Sequence, residues 1–409
     1  MKRVIIVLLI IDILLISFVK FDVIDVYVEA HNDDFGMSFV RKSINSNEGN
    51  ILVSPYSVEL ALRMLMEGAS GSTKSELLNV LNERTVNDVT SSRVLISNGL
   101  FIKDKYRKGI DDKYVSNILN SYGGEVLIDE FRDPHVINEW VDERTNHMIP
   151  GILDSVDPSF VLGLANAIAL DLEWYMPFSC ESTKKGTFTK NDGSTYNVSM
   201  MHDVFNDDYY GYFDNESEKG IVLPYGLVDE KKYEFVGIIP DEDINSYVKK
   251  MDLERILKSK KMASEDVYVH LSLPRFSYDY SLDDFASVIK SMGINKVFDK
   301  NDAEFYKIIS KENLERNGWE NLYIGQAIHK THIDLNEKGT KAAAVTFFGL
   351  FATSSAMINE KNKDVYITFD KPFIYLIREV ESNEILFFGV VNEPDAWEGS
   401  TCDEWEWVC

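Results

Sequence analysis

The ten residues Glu337-Lys338-Gly339-Thr340-Lys341-Ala342-Ala343-Ala344-Val345-Thr346 carry the most informative chemistry in the chain, and that chemistry is mechanical. Beyond Lys341 the segment is small and uncharged, and it leads into the bulky apolar run Phe347-Phe348-Gly349-Leu350-Phe351. Such a segment can sit in water as a loop or enter a sheet as a strand, because small side chains add backbone to a packed sheet without overfilling it. In a strand, alternate residues face one side. Thr340, Ala342, Ala344, Thr346, Phe348 and Leu350 then form a row suited to a buried face. Lys341, Ala343, Val345, Phe347, Gly349 and Phe351 form the other row. At a net ~1 kcal/mol per new backbone hydrogen bond, a strand of this length supplies on the order of 10 kcal/mol, enough to drive a deformation elsewhere.

Conventional catalytic patterns are missing. The sequence has no Gly-x-Ser-x-Gly elbow, no Gly-rich phosphate loop and no His-Glu-x-x-His pair. Ser70, between Gly68 and Gly71, has the wrong spacing for a nucleophile and reads as a helix-ending turn. His329 and His332 are three apart, which does not put both on one face of a strand, so they do not form a metal pair. No metal and no cofactor is expected. The three cysteines, Cys180, Cys402 and Cys409, are too few for a disulfide framework. Cys402 and Cys409 flank a short acidic, aromatic tail and can close a small loop in an oxidising compartment, which leaves Cys180 odd.

The elements that must position the switch are mixed. Residues 33–49 read as an amphipathic helix ending in Asn/Gly turn residues. Ile51-Leu52-Val53 is a short buried strand, after which Ser54-Pro55 opens a helix through Met66, with Ser54 and Ser57 as hydroxyl caps. Gly68-Ala69-Ser70-Gly71 stops that helix and the next begins at Ser72. Strands are expected at 94–102 and 125–128, a helix over 136–141, and a long apolar strand over 162–172 interrupted by Asn166. Residues 186–240 are strands and turns. Helix is expected over 243–260 and again near 282–292, closed by Gly293. Further strands lie at 266–274, 326–336, 364–369, 372–379 and 384–391. The pattern is α+β, long strands in large sheets with helices packed on them.

The 409 residues are 45% hydrophobic, so a large core is possible, and 42 Lys+Arg against 67 Asp+Glu give a formal net charge of −25. That balance argues against nucleic acid, heparin or an anionic membrane as the main partner. The one basic cluster, Lys103 to Lys108, reads as a solvated turn. At the N-terminus, Lys2 and Arg3 precede an apolar stretch from Val4 to Val19, and Val28-Glu29-Ala30 has the small residues a signal peptidase reads. The run is short for a span and carries Asp12, so residues 1–30 are expected to be a signal peptide rather than an anchor, and the chain to be secreted. One domain, 31–394, follows, then an acidic tail, 395–409. Asn197 and Asn215 head candidate glycosylation sequons.

Several blocks, in order, carry a family resemblance: Ile51-Leu52-Val53-Ser54-Pro55-Tyr56-Ser57; Ile137-Asn138-Glu139-Trp140-Val141; Asn166 with Trp174 and Pro177-Phe178; Leu223-Pro224-Tyr225; Leu273-Pro274-Arg275-Phe276; the 337–346 segment; and Asp370-Lys371-Pro372-Phe373. From about residue 35 to 393 the chain resembles a serpin, a serine-protease-inhibitor fold. The resemblance implies three β-sheets, eight or nine helices and an exposed reactive-centre loop on a metastable, monomeric native state. A target serine protease cleaves the loop. The hinge (Glu337, Gly339, Thr340, Ala342, Ala343, Ala344, Thr346) then inserts into the central sheet, and the acyl-bound protease is distorted before it deacylates. Loop insertion by serpins is a standard example of strand addition and released strain. By position, Glu337, Arg275 and Trp174 match the breach at the top of that sheet. Ser54, Ser57, Asn166 and His329 match the shutter, the polar cluster beneath its central strands.

The family's spacing from the hinge glutamate puts the reactive bond at Thr353–Ser354, which suits an elastase-like pocket. Phe351 or Met357 in its place would point to a chymotrypsin-like target. No Arg or Lys lies between Phe347 and Asn359, which disfavours trypsin-like proteases. Two residues depart from the pattern: Lys341 stands where an acidic residue is common, and Val345 is bulkier than the usual alanine or threonine. The rival expectation, a non-inhibitory carrier or binding module, is opposed by Ala342-Ala343-Ala344, since such relatives carry bulky or charged hinges.

Overall fold

A computed structural model describes residues 35–44, 49–158, 160–341 and 363–399. Ser54 starts the first long helix as the sequence suggests. Its backbone is extended and its side chain accepts from Ser57 N, with Pro55 opening the first turn of Pro55–Gly68. That helix buries Val58, Leu62, Met64 and Leu65 against the main apolar core. Nine α-helices occur among the described residues. Two are absent from the sequence expectation, Asp112–Tyr122 and Lys311–Asn317. The helix expected over 243–260 is two, Ile244–Lys250 and Leu253–Lys258, because Asp252 takes an extended conformation and caps the second through Arg255 N.

A seven-stranded antiparallel sheet runs in the order Ile51–Val53, Ile385–Val391, Phe373–Glu379, Tyr233–Pro240, Glu218–Pro224, Gly211–Asp214 and Lys261–Met262. Its middle strands are buried along their whole length and are mostly apolar; of the charges they carry, Glu234 and Arg378 pair with each other. A four-stranded sheet orders Lys363–Thr368, Val267–Pro274, Thr195–Phe205 and Lys184–Thr189.

The central sheet differs from the three-sheet expectation in an informative way. It is divided into two hydrogen-bonded halves, so the described strands form four sheets. The lower half orders Ile324–Ala327, Leu162–Leu170, Val94–Lys103 and Glu125–Asp129; the upper half orders Phe276–Ser281, Lys330–Leu335, Gly339–Lys341 and Leu172–Glu173. The same two stretches of chain run through both halves. One breaks at Asp171, the other between Ala327 and Lys330, where the sequence suggested unbroken strands. Among the described residues, Leu162–Leu164 pair with Ile324–Ala327, whereas Ala165–Leu170 pair only with the strand Val94–Lys103. The two long strands are therefore joined at the bottom and parted at the top.

Candidate functional site

The parting is filled at its upper end by Gly339–Lys341. Asp334 pairs with Lys341 and Leu335 with Thr340 on one side; Glu173 pairs with Gly339 and Leu172 with Thr340 on the other. The start of the hinge is therefore already a strand of the sheet in the uncut chain. Thr340 is buried, and its hydroxyl lies 2.5 Å from the Tyr225 hydroxyl. Gly339 is needed for close approach: a Cβ there would sit 2.1 Å from the Leu172 carbonyl oxygen. Ala342, Ala343, Ala344, Thr346, Thr353, Ser354 and the alternative residues Phe351 and Met357 lie outside the described residues, as do residues 1–30, Cys402 and Cys409.

Above this strand, Glu337 is 2% exposed. Its Oε1 accepts from Arg275 Nε at 2.7 Å and lies 2.5 Å from the other guanidinium nitrogen, Nη2. It also accepts from the Thr183 hydroxyl. Phe178 N donates to the Glu337 carbonyl. Oε2 is buried with no hydrogen-bond partner. Such a carboxylate depends on its one cationic neighbour, because an ionised group without compensation is costly inside a protein. Trp174 covers the turn between Glu337 and Gly339. Its ring N–H donates to the Asn336 carbonyl, its main-chain N–H to that of Lys338, and its indole stacks on Tyr225 at 4.6 Å. Glu337, Arg275 and Trp174 thus converge on the hinge turn. Tyr225 and Thr183 complete the assembly; the sequence reading names Tyr225 only within the Leu223-Pro224-Tyr225 block, without a role at the hinge, and misses Thr183, which carries no charge or spacing that marks it.

The second cluster lies under the central sheet. Ser54, Ser57 and His329 are buried. Ser54 N donates to His329 Nε2 at 3.0 Å, and the imidazole packs against the rings of Phe39 and Phe285. Asn166 sits in the strand Leu162–Leu170 opposite Asn98. Because Nε2 is an acceptor, the neutral imidazole is the form that fits, and burial pulls its pKa down from 6.5 to about 4. The folded pKa is the lower one, so as pH falls the unfolded chain takes the proton first. Stability is therefore whole above pH 6.5 and is lost between about pH 6.5 and 4, by about 3 kcal/mol at most. His329→Asn is expected to reduce the drop in melting temperature between pH 7 and pH 4.5. An unchanged drop would remove His329 as its source.

Other positions fall elsewhere. Asn197 is exposed on the strand Thr195–Phe205. Asn215 is exposed too, but its amide is engaged: Nδ2 donates to the fully buried Glu218, and Oδ1 accepts from Ser217 N and Glu218 N. The basic cluster forms a short 3₁₀ turn, Asp104–Gly109, with Lys105 paired to Glu320 and Arg107 to Asp104. Among the described residues no group of three His, Cys, Asp or Glu could hold a metal ion. Cys180, which the sequence reading left odd, is disulfide-bonded. It lies in a short turn, Cys180–Ser182, between Phe178 and Thr183.

The described start of the acidic tail, after Pro394, adds to a sheet. Tyr196 OH donates to the Pro394 carbonyl, Asp395 N to the Arg275 carbonyl and Trp397 N to the Asn197 carbonyl; Ala396 bridges Val198, and the Asp395 carboxylate accepts from Ser277 N.

Comparison with known proteins agrees with this architecture. A family model described as serpin (serine protease inhibitor) matches residues 30–394. An uncharacterised serpin-like protein of Thermococcus kodakarensis is 31% identical over 379 residues, covering 86% of this chain and 83% of its own. The leukocyte elastase inhibitor of Homo sapiens is 28% identical, covering 87% and 96%. The crystal structure of the thermophilic serpin tengpin in its native state superposes with a TM-score of 0.73 at 28% identity, covering 88% and 92%. With its split central sheet, its hinge strand and a family match over most of its length, the chain belongs to the serpin family.

Proposed function

We propose that this serpin is a secreted suicide inhibitor. Residues 1–30 are removed as a signal peptide, and the domain 31–394 presents the reactive bond Thr353–Ser354 to an elastase- or chymotrypsin-like serine protease. Cleavage leaves the protease acylated to the loop. Starting from Thr340, already in place, the hinge row continues with Ala342, Ala344 and Thr346 into the gap between Leu162–Leu170 and Lys330–Leu335, and the attached protease is carried and deformed. Loss of one oxyanion donor slows deacylation about 10²–10³-fold, so a modest deformation suffices to hold the acyl state.

One observation carries the reading. Gly339–Lys341 already occupies the top of that gap as a strand, with Thr340 on the buried face and Ala165–Leu170 offering an unpaired edge below it among the described residues. An edge of unpaired backbone groups is a template for strand addition. In this reading Glu337, Arg275 and Trp174 hold the hinge turn, and Ser54, Ser57, Asn166 and His329 hold the strands that part. Incubation with elastase- and chymotrypsin-like proteases is expected to give a complex that survives SDS, and the mass of the released C-terminal peptide should begin at Ser354. Cleavage of the loop by every protease tried, without any SDS-stable adduct, would overturn the inhibitory reading.

A further inference from the structure

Four charged positions fall in one row across the top of the central sheet. On one flank of the hinge strand, Thr340 pairs with Leu335 and Lys341 with Asp334. On the other flank Thr340 pairs with Leu172, so the next step of the same register sets Lys341 beside Asp171. Asp171 in turn stands one step beyond the Val94–Leu170 pair, opposite Arg93. Its main-chain N–H donates to the Arg93 carbonyl at 2.9 Å, and its Oδ2 accepts from Arg93 Nη1 at 3.0 Å. Read across these neighbouring segments, the row is Arg93, Asp171, Lys341 and Asp334, and its charges alternate. The flanks of position 341 are acidic beyond that row. Glu173, two residues from Asp171, also accepts from Arg93 Nη1, at 3.5 Å. Past Asp334 the next lateral residue is Ser277, whose N–H donates to the Asp395 carboxylate. Burial pushes the Asp395 pKa up, and the nearby Asp334 charge adds to the push.

We propose that Asp171 and Asp334 make position 341 a charge-selective seat, and that Lys341 is therefore a specificity-determining residue for hinge insertion: a strand with a cation there is accepted, and one with an anion is rejected. The proposal rests on the loop-insertion reading given above. Lateral neighbours in a sheet share a face, and opposite charges placed there stabilise the strand pair whereas like charges destabilise it. An acidic residue at 341 would stand between two carboxylates. That accounts for the departure from the family pattern at Lys341, since the receiving flanks of this chain call for the other sign. The register that sets up the row is fixed by burial. Thr340, Leu172 and Leu335 are all buried, and a slip of one residue would turn that buried set outward. Arg93 closes the far end of the row and balances Asp171 and Glu173, two carboxylates on one face of the same segment.

The ratio of cleaved chain to SDS-stable adduct, measured with an elastase-like and a chymotrypsin-like protease, tests the seat. Lys341→Glu is expected to raise that ratio about tenfold at low salt, because two lateral pairs change from opposite to like charge. Most of the effect should vanish at ~1 M salt, where charges at the surface are screened. Lys341→Gln, which removes the charge alone, should fall between Lys341→Glu and the parent. Adding Asp171→Asn and Asp334→Asn to Lys341→Glu should bring the ratio back towards the parent, a recovery that an intrinsic strand preference of residue 341 would not give. An unchanged ratio for Lys341→Glu, or no recovery in the triple variant, would overturn the seat. The rise in melting temperature on loop cleavage separates the seat from the reading beneath it. If cleavage stabilises the parent but no adduct forms, the inhibitory reading fails and the seat is judged by that rise, which should be smaller in Lys341→Glu and restored in the triple variant; equal rises would overturn it. If cleavage of the parent does not raise the melting temperature, both fail.

Discussion

Thr340→Arg is expected to turn the protein from a trap into a substrate, with cleaved chain accumulating and SDS-stable adduct nearly lost. Thr340 is 2% exposed, its main chain is paired on both sides, and its hydroxyl meets that of Tyr225. A guanidinium at this position must be buried without an anionic partner or must hold the strand out of the sheet. At a cost of about 3 kcal/mol, insertion would slow roughly 100-fold and deacylation would win the race. Thr340→Ser, which keeps the hydroxyl, should behave as the parent. The measurement is the ratio of adduct to cleaved chain on a denaturing gel across inhibitor-to-protease ratios. Trapping by Thr340→Arg at the parent stoichiometry would mean that the buried place Thr340 holds in the uncut sheet is not required for the rest of the hinge to insert.

The largest stability effect is expected at Arg275. Removing this side chain leaves the Glu337 carboxylate buried, with the Thr183 hydroxyl as its remaining side-chain donor and Oε2 unpartnered. Breaking a buried pair from one side costs about 3–5 kcal/mol, far more than the pair contributes relative to a neutral replacement. Arg275→Ala should therefore lower the first unfolding transition of the uncut protein in urea by that amount. The double variant with Glu337→Gln should recover most of it, because the stranded charge is then gone. If Arg275→Ala and the double variant were equally destabilised, the loss would come from packing of the arginine stem rather than from the charge on Glu337.

Much of this site was legible in the sequence, for reasons that are local. Ser54-Pro55 announces a helix start because a cap and a fixed φ act within one turn. The small residues after Glu337 announce a strand that can be added because side-chain volume is a property of each residue. What could not be read is decided across the chain. The breaks at Asp171 and at Ile328-His329 arise because the hinge strand takes the place between two long strands, and neither break falls at a Pro or Gly that would announce it. Helix Lys311–Asn317 buries only Leu314 in its seven residues, so it has no apolar period to read; Asp112–Tyr122, with Tyr114 and Ile118 four apart on one buried face, does carry one. The tail docks through main-chain groups of Asp395 and Trp397, which carry no sequence signature.

One further consequence lies at the bottom of the central sheet. There Ile324 faces Leu162, Gln326 faces Gly163 and Ala327 faces Leu164, with a shift of register at Gly325. In the proposed inhibition, an arriving arm passes Ala165–Leu170, whose open edge carries no strand among the described residues, then meets this short seam, already flawed by a bulge. Substitutions there should leave the onset of arrest untouched and govern instead how far the captive enzyme is hauled, which sets the durability of the final embrace rather than its speed.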